Sequence, residues 1–402
     1  MKKNSFLKIF LVVIMLSGFF YVVNFSVAVS DPADTPVSTN DLKIDYSSPT
    51  STAQEKVHIL IVPGHEPGYG GAEFGAIKER NLVTEIGADL KKFLETNKRY
   101  QVSITRDSAA WNPVFADYFK NEWNNIIAWE NTAKQTASRL AALGAPVIPI
   151  IDHVAVPDDV ALRLYGINKW ANENSIDLMV HLHLNDYPGH SKYKTGIYSG
   201  LVIYTPAVQY ANSSTTKEIT NAVFKRLSLY NPVSNLSFET DGIIDDPELI
   251  AVGANNTANA ASMLIEYNYI YEPQFVNPKV RALALKDLAY QTYLGLQDYF
   301  NKSGVVTVAS SYDPVPLYDW QKRVTGVSSN PKDIYALQTA LIMDNDYPPL
   351  EKDKNSCPHS GTIGVCTRLA IQDFQKKNGI TNESVFGRKT FSLLNAIYSG
   401  NH

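Results

Sequence analysis

Short apolar runs alternate with amphipathic segments from residue 57 onward. The run Val57–Val62 is nearly all apolar, which is typical of a strand buried on both faces. After it, Leu82, Ile86 and Leu90 recur at helical spacing, with charged residues such as Lys91 on the opposite side. Further strands are predicted at Val102–Arg106, Ile176–Leu182, Leu201–Tyr204 and Ser262–Tyr267, and further helices over residues 113–143 and 158–174.

This alternation predicts an α/β fold with a mostly parallel sheet and helices on both of its faces. In such folds, functional groups gather at the C-terminal ends of the strands. His65 follows the first predicted strand, His183 ends the third, and Glu266 lies near the end of the last. We therefore expect these three side chains to lie at one rim of the sheet.

The N-terminus carries an export pattern. Lys2, Lys3 and Lys8 precede an apolar stretch that runs from Ile9 to Val29. A basic start followed by an apolar run is typical of a signal peptide, but residues 9–29 are also long enough to span a bilayer. Residues 1–29 are therefore either a cleaved signal or a retained membrane anchor. Either one exports the rest of the chain to the cell wall, the periplasm or the extracellular space.

Composition divides the remainder of the chain. Residues 30–56 are rich in Ser, Thr, Pro and Asp, which predicts a disordered tether. The main domain is expected at 57–300, followed by a linker at 301–332 and a small module at 333–402. The module is predicted to hold three helices, at Ile334–Met343, Thr367–Lys377 and Gly387–Ile397.

Charge and cysteine content narrow the functional classes. The net charge is -4 and no basic patch stands out, which argues against nucleic acid as a partner. The two cysteines, Cys357 and Cys366, lie close together in a chain that we expect to be exported. That setting favours a disulfide over a metal-binding pair.

Several residues suit a metal-dependent hydrolase. A catalytic zinc site needs three protein ligands and one open position for water, and a nearby carboxylate must move the water proton. His65, Glu79 and His183 are the candidate ligands, although each one alone has an ordinary structural explanation. Glu266 follows three apolar residues, and a carboxylate in a buried strand is costly unless it is paired, protonated or functional.

Four motifs add a family resemblance. The segments VPGHEPGYGGAEFGAIKERNLV, SITRD, VHLHLND and MLIEYNYIYEP resemble the zinc N-acetylmuramoyl-L-alanine amidases in order and spacing, over about Val57 to Phe300. The resemblance implies one Zn²⁺ per catalytic domain, held by His65, Glu79 and His183. It also implies that Glu266 is the catalytic residue and that the substrate is peptidoglycan.

Other positions either follow or depart from the family pattern. Asn185 and Arg163 match it and are expected to contact substrate or to support the ligands. His181 stands where the family usually has serine; it shares a strand face with His183 and is either a supporting hydrogen-bond partner or the true ligand. Asn268 replaces a glycine, and Asn tolerates left-handed backbone better than most residues. Residues 108–157 form an insertion expected to shape the substrate groove or to shield the site.

The C-terminal module resembles a three-helix peptidoglycan-binding domain, through ALQTAL, SGTIGVCTRLAIQDFQKKNGI and VFGRKTFSLLN. Its spaced apolar residues Leu369, Ile371 and Phe374 are expected to build the core of the module. A plain helical spacer is the alternative.

Other functions stay open at this point. A zinc peptidase or deacetylase acting on the same wall polymer would use similar ligands. A catalytically inactive wall-binding protein, or an adhesin anchored to the wall, would carry the same export signal. The sequence identifies no protein activator.

Overall fold

The computed structural model describes residues 36–47, 56–144, 156–187, 190–300 and 330–398. The predicted signal or anchor at 1–29 and nearly all of the predicted linker at 301–332 lie outside these ranges. Within them, no helix combines the length and the apolar character needed to cross a membrane.

A six-stranded sheet forms the centre of the main domain, with the strand order β4-β1-β5-β8-β6-β7. All neighbouring strands are parallel except β6 and β8. The strands of this sheet are β1 (Val57–Pro63), β4 (Tyr100–Ile104), β5 (Leu178–Asn185), β6 (Val202–Pro206), β7 (Ile243–Asp246) and β8 (Ala261–Tyr269); β2 (Glu73–Phe74) and β3 (Ile77–Lys78) form a separate hairpin. The predicted α/β class with a mostly parallel sheet is confirmed.

Helices cover both faces of the sheet. The helices are α1 (Thr39–Ser47), α2 (Glu79–Glu95), α3 (Pro113–Ala142), α4 (Asp158–Glu173), α5 (Ser213–Tyr230), α6 (Pro273–Val276), α7 (Arg281–Phe300), α8 (Pro331–Met343), α9 (Val365–Lys377) and α10 (Arg388–Tyr398). Along β5, Leu178, Val180 and Leu182 enter the core under α2, α5 and α7, whereas Met179 enters the core under α3 and α4. Burial on both faces explains why the strand sequences are almost continuously apolar.

Part of the expected tether is ordered. Within residues 30–56, helix α1 packs onto the main domain through Leu42 and Tyr46, which are both buried. The Tyr46 ring lies 5.7 Å from that of Tyr100 and 5.0 Å from that of Phe300. The local composition is too polar to fold alone, so this helix depends on apolar surface supplied by distant segments.

The structure also contains elements that hydrophobic spacing did not predict, namely α5, β7 and α7. Helix α7 is buried around most of its circumference, because it packs against α2 and α5. A helix that is buried nearly all round has no polar stripe, and without that stripe the helical period is hard to recognise.

Among residues 330–398, three helices lie close to their predicted positions. Their core includes Ala370, Ile371 and Phe374, all fully buried, and Cys357 is joined to Cys366 by a disulfide. The prediction that Leu369 belongs to this core is wrong, because its side chain is 38% exposed. Residues 369 and 371 point about 200° apart on a helix, so they cannot both face inward with Phe374.

The C-terminal helices contact the main domain directly. The Tyr335 hydroxyl donates to Asp287 Oδ2 on α7 at 3.2 Å, and Ser199 Oγ donates to Asn355 Oδ1 at 2.8 Å. Asp287 is buried, and this burial raises the pKa of its carboxyl to about 6, against the opposing effect of hydrogen bonds from Gln291 and Tyr335. The contact therefore includes a carboxyl that is costly to ionise in the folded protein.

This contact predicts a pH dependence of stability. Asp287 binds a proton more tightly when folded, so the free energy of unfolding should fall as pH rises from about 4 to about 6, by about 1–3 kcal/mol for this group. Asp287→Asn does not titrate and should flatten that part of the profile. Urea unfolding of both proteins between pH 4 and pH 7 checks this, and an identical slope in the variant would contradict it.

Candidate active site

Three side chains from separate segments meet at the C-terminal rim of the sheet. His65 lies just after β1, Glu79 begins α2 and His183 lies in β5. One nitrogen or oxygen atom from each lies within 4.8 Å of the others. Glu79 Oε1 is 2.8 Å from His65 Nε2 and 3.0 Å from His183 Nδ1.

The backbone around Glu79 explains how its carboxylate is held. Glu79 Oε2 accepts from the Ala72 amide at 2.8 Å, and Oε1 accepts from the Leu184 amide at 3.0 Å. The Glu79 amide in turn donates to the Ala72 carbonyl at 2.9 Å. The start of a helix also favours a negative charge. The carboxylate is thereby fixed between the glycine-rich loop and β5.

Small residues make room for the two imidazoles. His65 itself adopts the left-handed region, with φ at 68°. A Cβ added to Gly64 would lie 2.2 Å from His183 Cε1, and one added to Gly71 would lie 2.7 Å from His65 Cδ2. The glycines of this loop therefore let the backbone approach the rings closely.

The pKa shifts of Glu79 and His183 suit a cation at this place. Burial opposes ionisation of Glu79, but the neighbouring His65 and His183 overcome this effect and hold its pKa below the ordinary value. Burial lowers the pKa of His183, although its hydrogen bond with Glu79 opposes that shift. An ionised carboxylate and a histidine whose pKa is lowered both favour the deprotonated forms that bind metal.

The donor atoms fit a divalent metal ion. His65 Nε2 is buried and makes no hydrogen bond in the described part of the structure, although Glu79 Oε1 is close by. A buried polar atom without a partner is costly, and a metal ion would satisfy it. Two imidazole nitrogens and a carboxylate oxygen form a ligand set that zinc and similar metals accept.

Glu266 lies beside this group. It belongs to β8 and pairs in register with His183 of β5, so the two side chains share a face of the sheet. Its Oε2 atom is buried and has no hydrogen bond among the described residues. Burial raises the pKa of Glu266 well above the ordinary value, and the negative charges of Glu79, Glu239 and Asp186 raise it further.

His181 does not join the group of three. It lies on the same strand face as His183, one step further from the rim, and is almost fully buried. Burial, and then the neighbouring His183, lower its pKa to about 3, and its Nε2 atom makes no hydrogen bond among the described residues. The structure therefore brings His183, and not His181, to Glu79.

Asn185 and Arg163 lie near the site without bonding to the three candidate ligands. Asn185 is buried at the end of β5, and its amide donates to Glu239 at 3.1 and 3.0 Å. Arg163 on α4 donates to Glu66 at 2.8 Å and also pairs with Asp159. Since Glu66 directly follows His65, Arg163 restrains the loop that carries this histidine.

Arg106 is an important residue that the search for ligands did not single out. It is almost fully buried, and burial lowers its pKa to about 10. Its guanidinium donates to the carbonyls of Pro63, Gly64 and Arg80, with the Pro63 bond at 3.1 Å and the Arg80 bond at 3.0 Å. The sequence indicated this residue only as the arginine of the SITRD motif. Arg106 holds the backbone on both sides of the site.

Two residues near the site explain other features of the sequence. Asn268, at the predicted glycine position, has φ at 118°. Its amide donates to the buried Glu272 at 3.0 Å, which stabilises this backbone conformation. In the 108–157 insertion, Trp111 Nε1 donates to Glu66 at 3.2 Å. The beginning of the insertion therefore lies against the loop that carries His65.

The fold and the site define an α/β protein with a candidate metal centre and an adjacent carboxyl at the rim of its sheet. The profile of the N-acetylmuramoyl-L-alanine amidase family matches residues 59–298. The chain belongs to this family of hydrolases, which confirms the resemblance seen in its motifs. A comparison with curated protein sequences found no match.

Solved structures similar to this chain include several amidases. One N-acetylmuramoyl-L-alanine amidase from Clostridium difficile 630 is 17% identical, with a TM-score of 0.39, and the match covers 62% of this chain and 99% of that one. A second, from Mycobacterium smegmatis, is 13% identical, with a TM-score of 0.39 and coverage of 61% and 97%. A third, from Nostoc punctiforme, is 15% identical, with a TM-score of 0.38 and coverage of 61% and 98%.

The close approach at Gly64 makes a testable prediction. Gly64→Ala should push the His183 ring out of place and weaken metal binding at this candidate centre by about tenfold to a hundredfold, as loss of support for a ligand usually does. Gly68→Ala is the matched control, because a Cβ at Gly68 meets no atom within 4 Å. Calorimetric titration of both variants with zinc measures the difference, and equal affinities would refute this account of the loop.

Proposed function

We propose that this chain is a zinc-dependent amidase that hydrolyses the amide between N-acetylmuramic acid and L-alanine in peptidoglycan. The observation that carries the proposal is the convergence of His65, Glu79 and His183 within 4.8 Å, beside Glu266. Membership of the amidase family supports the reaction and the substrate.

His65, Glu79 and His183 would hold the zinc ion, which leaves its remaining position open to water or substrate. When bound, zinc supplies Lewis-acid activation of a water molecule and of the scissile carbonyl. The protein keeps the ligands ready for this role through Arg106, whose bonds to Pro63 and Gly64 hold the loop before His65.

Glu266 would transfer the proton. It accepts a proton from the attacking water and then delivers it to the nitrogen of the leaving L-alanine, which departs as an amine. Burial and the nearby carboxylates raise the pKa of Glu266, which makes it a stronger base than an ordinary glutamate once it is ionised. Its Oε2 atom forms no hydrogen bond with any described residue, so no protein group competes for the proton that it would carry.

The regions outside the main domain fit a protein that works on the cell wall. We propose that residues 1–29 export the chain or anchor it to the membrane, and that its place of action is the wall, the periplasm or the extracellular space. The C-terminal helices would bind peptidoglycan and keep the enzyme on its polymeric substrate. A disulfide between Cys357 and Cys366 suits an oxidising compartment.

The roles of Glu266 and His183 can be separated by mutation. Glu266→Ala should retain zinc and lose activity by about a hundredfold to ten-thousandfold, because it removes the proton carrier alone. His183→Ala should lose zinc and activity together. Metal analysis of the purified proteins, followed by peptidoglycan hydrolysis assays, checks both. A Glu266→Ala protein with normal activity would disprove the role given to this carboxyl.

The products distinguish the amidase from its rivals. The protein should release intact stem peptides that begin with L-alanine from purified peptidoglycan, and a zinc chelator should abolish their release. Mass spectrometry of the digest identifies the new termini. A peptidase would cut within the stem, a deacetylase would release acetate, and an inactive wall-binding protein would bind the polymer without releasing anything; each of these results would exclude the amidase.

A further inference from the structure

Glu239 is a buried carboxylate close to the site that the proposed mechanism does not use. It lies in the loop between α5 and β7 and is only 2% exposed. Among the described residues, no Lys, Arg or His forms an ion pair with it. Its two oxygens accept hydrogen bonds from four side chains: Asn185, Tyr204 (2.7 Å), Ser234 and Tyr269 (3.2 Å).

A buried charge without a cation is stable only when donors surround it. All four donors are neutral, and each either lies on a strand of the site or lines the loop before β7. Hydrogen bonds from these four side chains offset the free energy of burying the carboxylate, and they hold each donor in one orientation. Such a network suits a place where the orientation of a side chain affects function.

Two of the donors adjoin the catalytic groups. Asn185 follows His183 by two residues at the end of β5. Tyr204 of β6 lies opposite Leu264 of β8, so it shares a sheet face with Glu266 two positions further along that strand. Glu239 thus connects the strand that carries a candidate ligand to the strands beside the candidate proton carrier.

The bonds to Glu239 also fix the polarity of Asn185. An ionised carboxylate only accepts hydrogen bonds, so it selects the NH₂ side of the amide. That nitrogen lies 3.1 Å from Oε1 and 3.0 Å from Oε2 of Glu239. The other side of the amide, Oδ1 of Asn185, makes no hydrogen bond in the described ranges. This oxygen remains an acceptor.

We propose that Glu239 is a positioning residue, which holds Asn185 so that its Oδ1 accepts a hydrogen bond from an amide N–H of the substrate beside the scissile bond. The inference rests on the proposed amidase function and deepens it. The ligand it specifies is a secondary amide, because a fixed acceptor favours N–H groups and disfavours carboxylates at the same place. The N-acetylmuramoyl-L-alanine linkage contains such N–H groups.

A charge-swap experiment tests this role. Glu239→Gln places an NH₂ group near the Asn185 amide nitrogen, and Asn185→Asp places two carboxylates together. Each single variant should lower kcat/KM on peptidoglycan by about tenfold to a hundredfold with its zinc content unchanged. The double variant again pairs one amide with one carboxylate and keeps an acceptor at position 185, so it should recover at least about tenfold over either single variant.

Asp241→Asn is the matched control. It removes the same charge two residues away, at an exposed position, and should leave kcat/KM within about twofold of the wild type. If Glu239→Gln or Asn185→Asp fails to fold, Asn185→Ala serves instead. It removes Oδ1 without adding a charge and should show the same loss of kcat/KM.

Several results would overturn the inference. Wild-type kcat/KM in folded Glu239→Gln or Asn185→Ala would do so, as would a folded double variant no better than the single ones. Failure of the proposed function would look different, because the wild type itself would then release no peptides beginning with L-alanine.

Discussion

The arrangement of the site depends on one buried carboxylate. The Glu79 carboxylate accepts hydrogen bonds from the backbone amides of Ala72 and Leu184, and it lies within hydrogen-bonding distance of His65 and His183. These contacts join the loop after β1, the first turn of α2 and strand β5. Because the group is buried, every one of these contacts acts in a low-dielectric setting, where unmet partners are costly. The position of each candidate ligand is thus coupled to the others.

Glu79 and Glu266 show how environment divides the work between two identical side chains. Glu79 is kept ionised by neighbouring imidazoles, which suits a metal ligand. Burial and then the nearby carboxylates raise the pKa of Glu266, and no described residue donates a hydrogen bond to its Oε2 atom. Two carboxyl groups whose pKa values are driven apart are a common basis for separate roles in hydrolysis. Glu239 contributes to this difference, because its charge adds to the field at Glu266.

The region behind Glu266 links the site to the rest of the chain. Asn268 lies near the end of β8 with its backbone in the left-handed region, and its side-chain amide donates to Glu272. Glu272 also accepts from the Gly200 amide at 2.8 Å, and the neighbouring Ser199 contacts the C-terminal segment through Asn355. The C-terminal helices therefore lie against the main domain close to the elements that support its active rim.

Much of the fold and of the candidate site could be predicted from local patterns. Apolar runs located the central strands, since strands buried on both faces need continuous apolar residues. Strand-end positions and motif order located His65, Glu79, His183 and Glu266, because parallel strands bring their C-terminal ends to one edge. Helix α7 was not predicted, because a helix that is buried on most sides lacks the alternation of apolar and polar residues by which helices are recognised.

The sequence by itself determined the class of fold, the candidate ligands and the candidate proton carrier, because periodicity and residue type are local properties of the chain. Only the tertiary structure decided that α1 packs on the main domain, that Leu369 faces solvent and that Glu239 binds Asn185. These outcomes depend on contacts between segments far apart along the chain. The partner of a buried side chain comes from residues that are distant in sequence, so a local pattern cannot predict it.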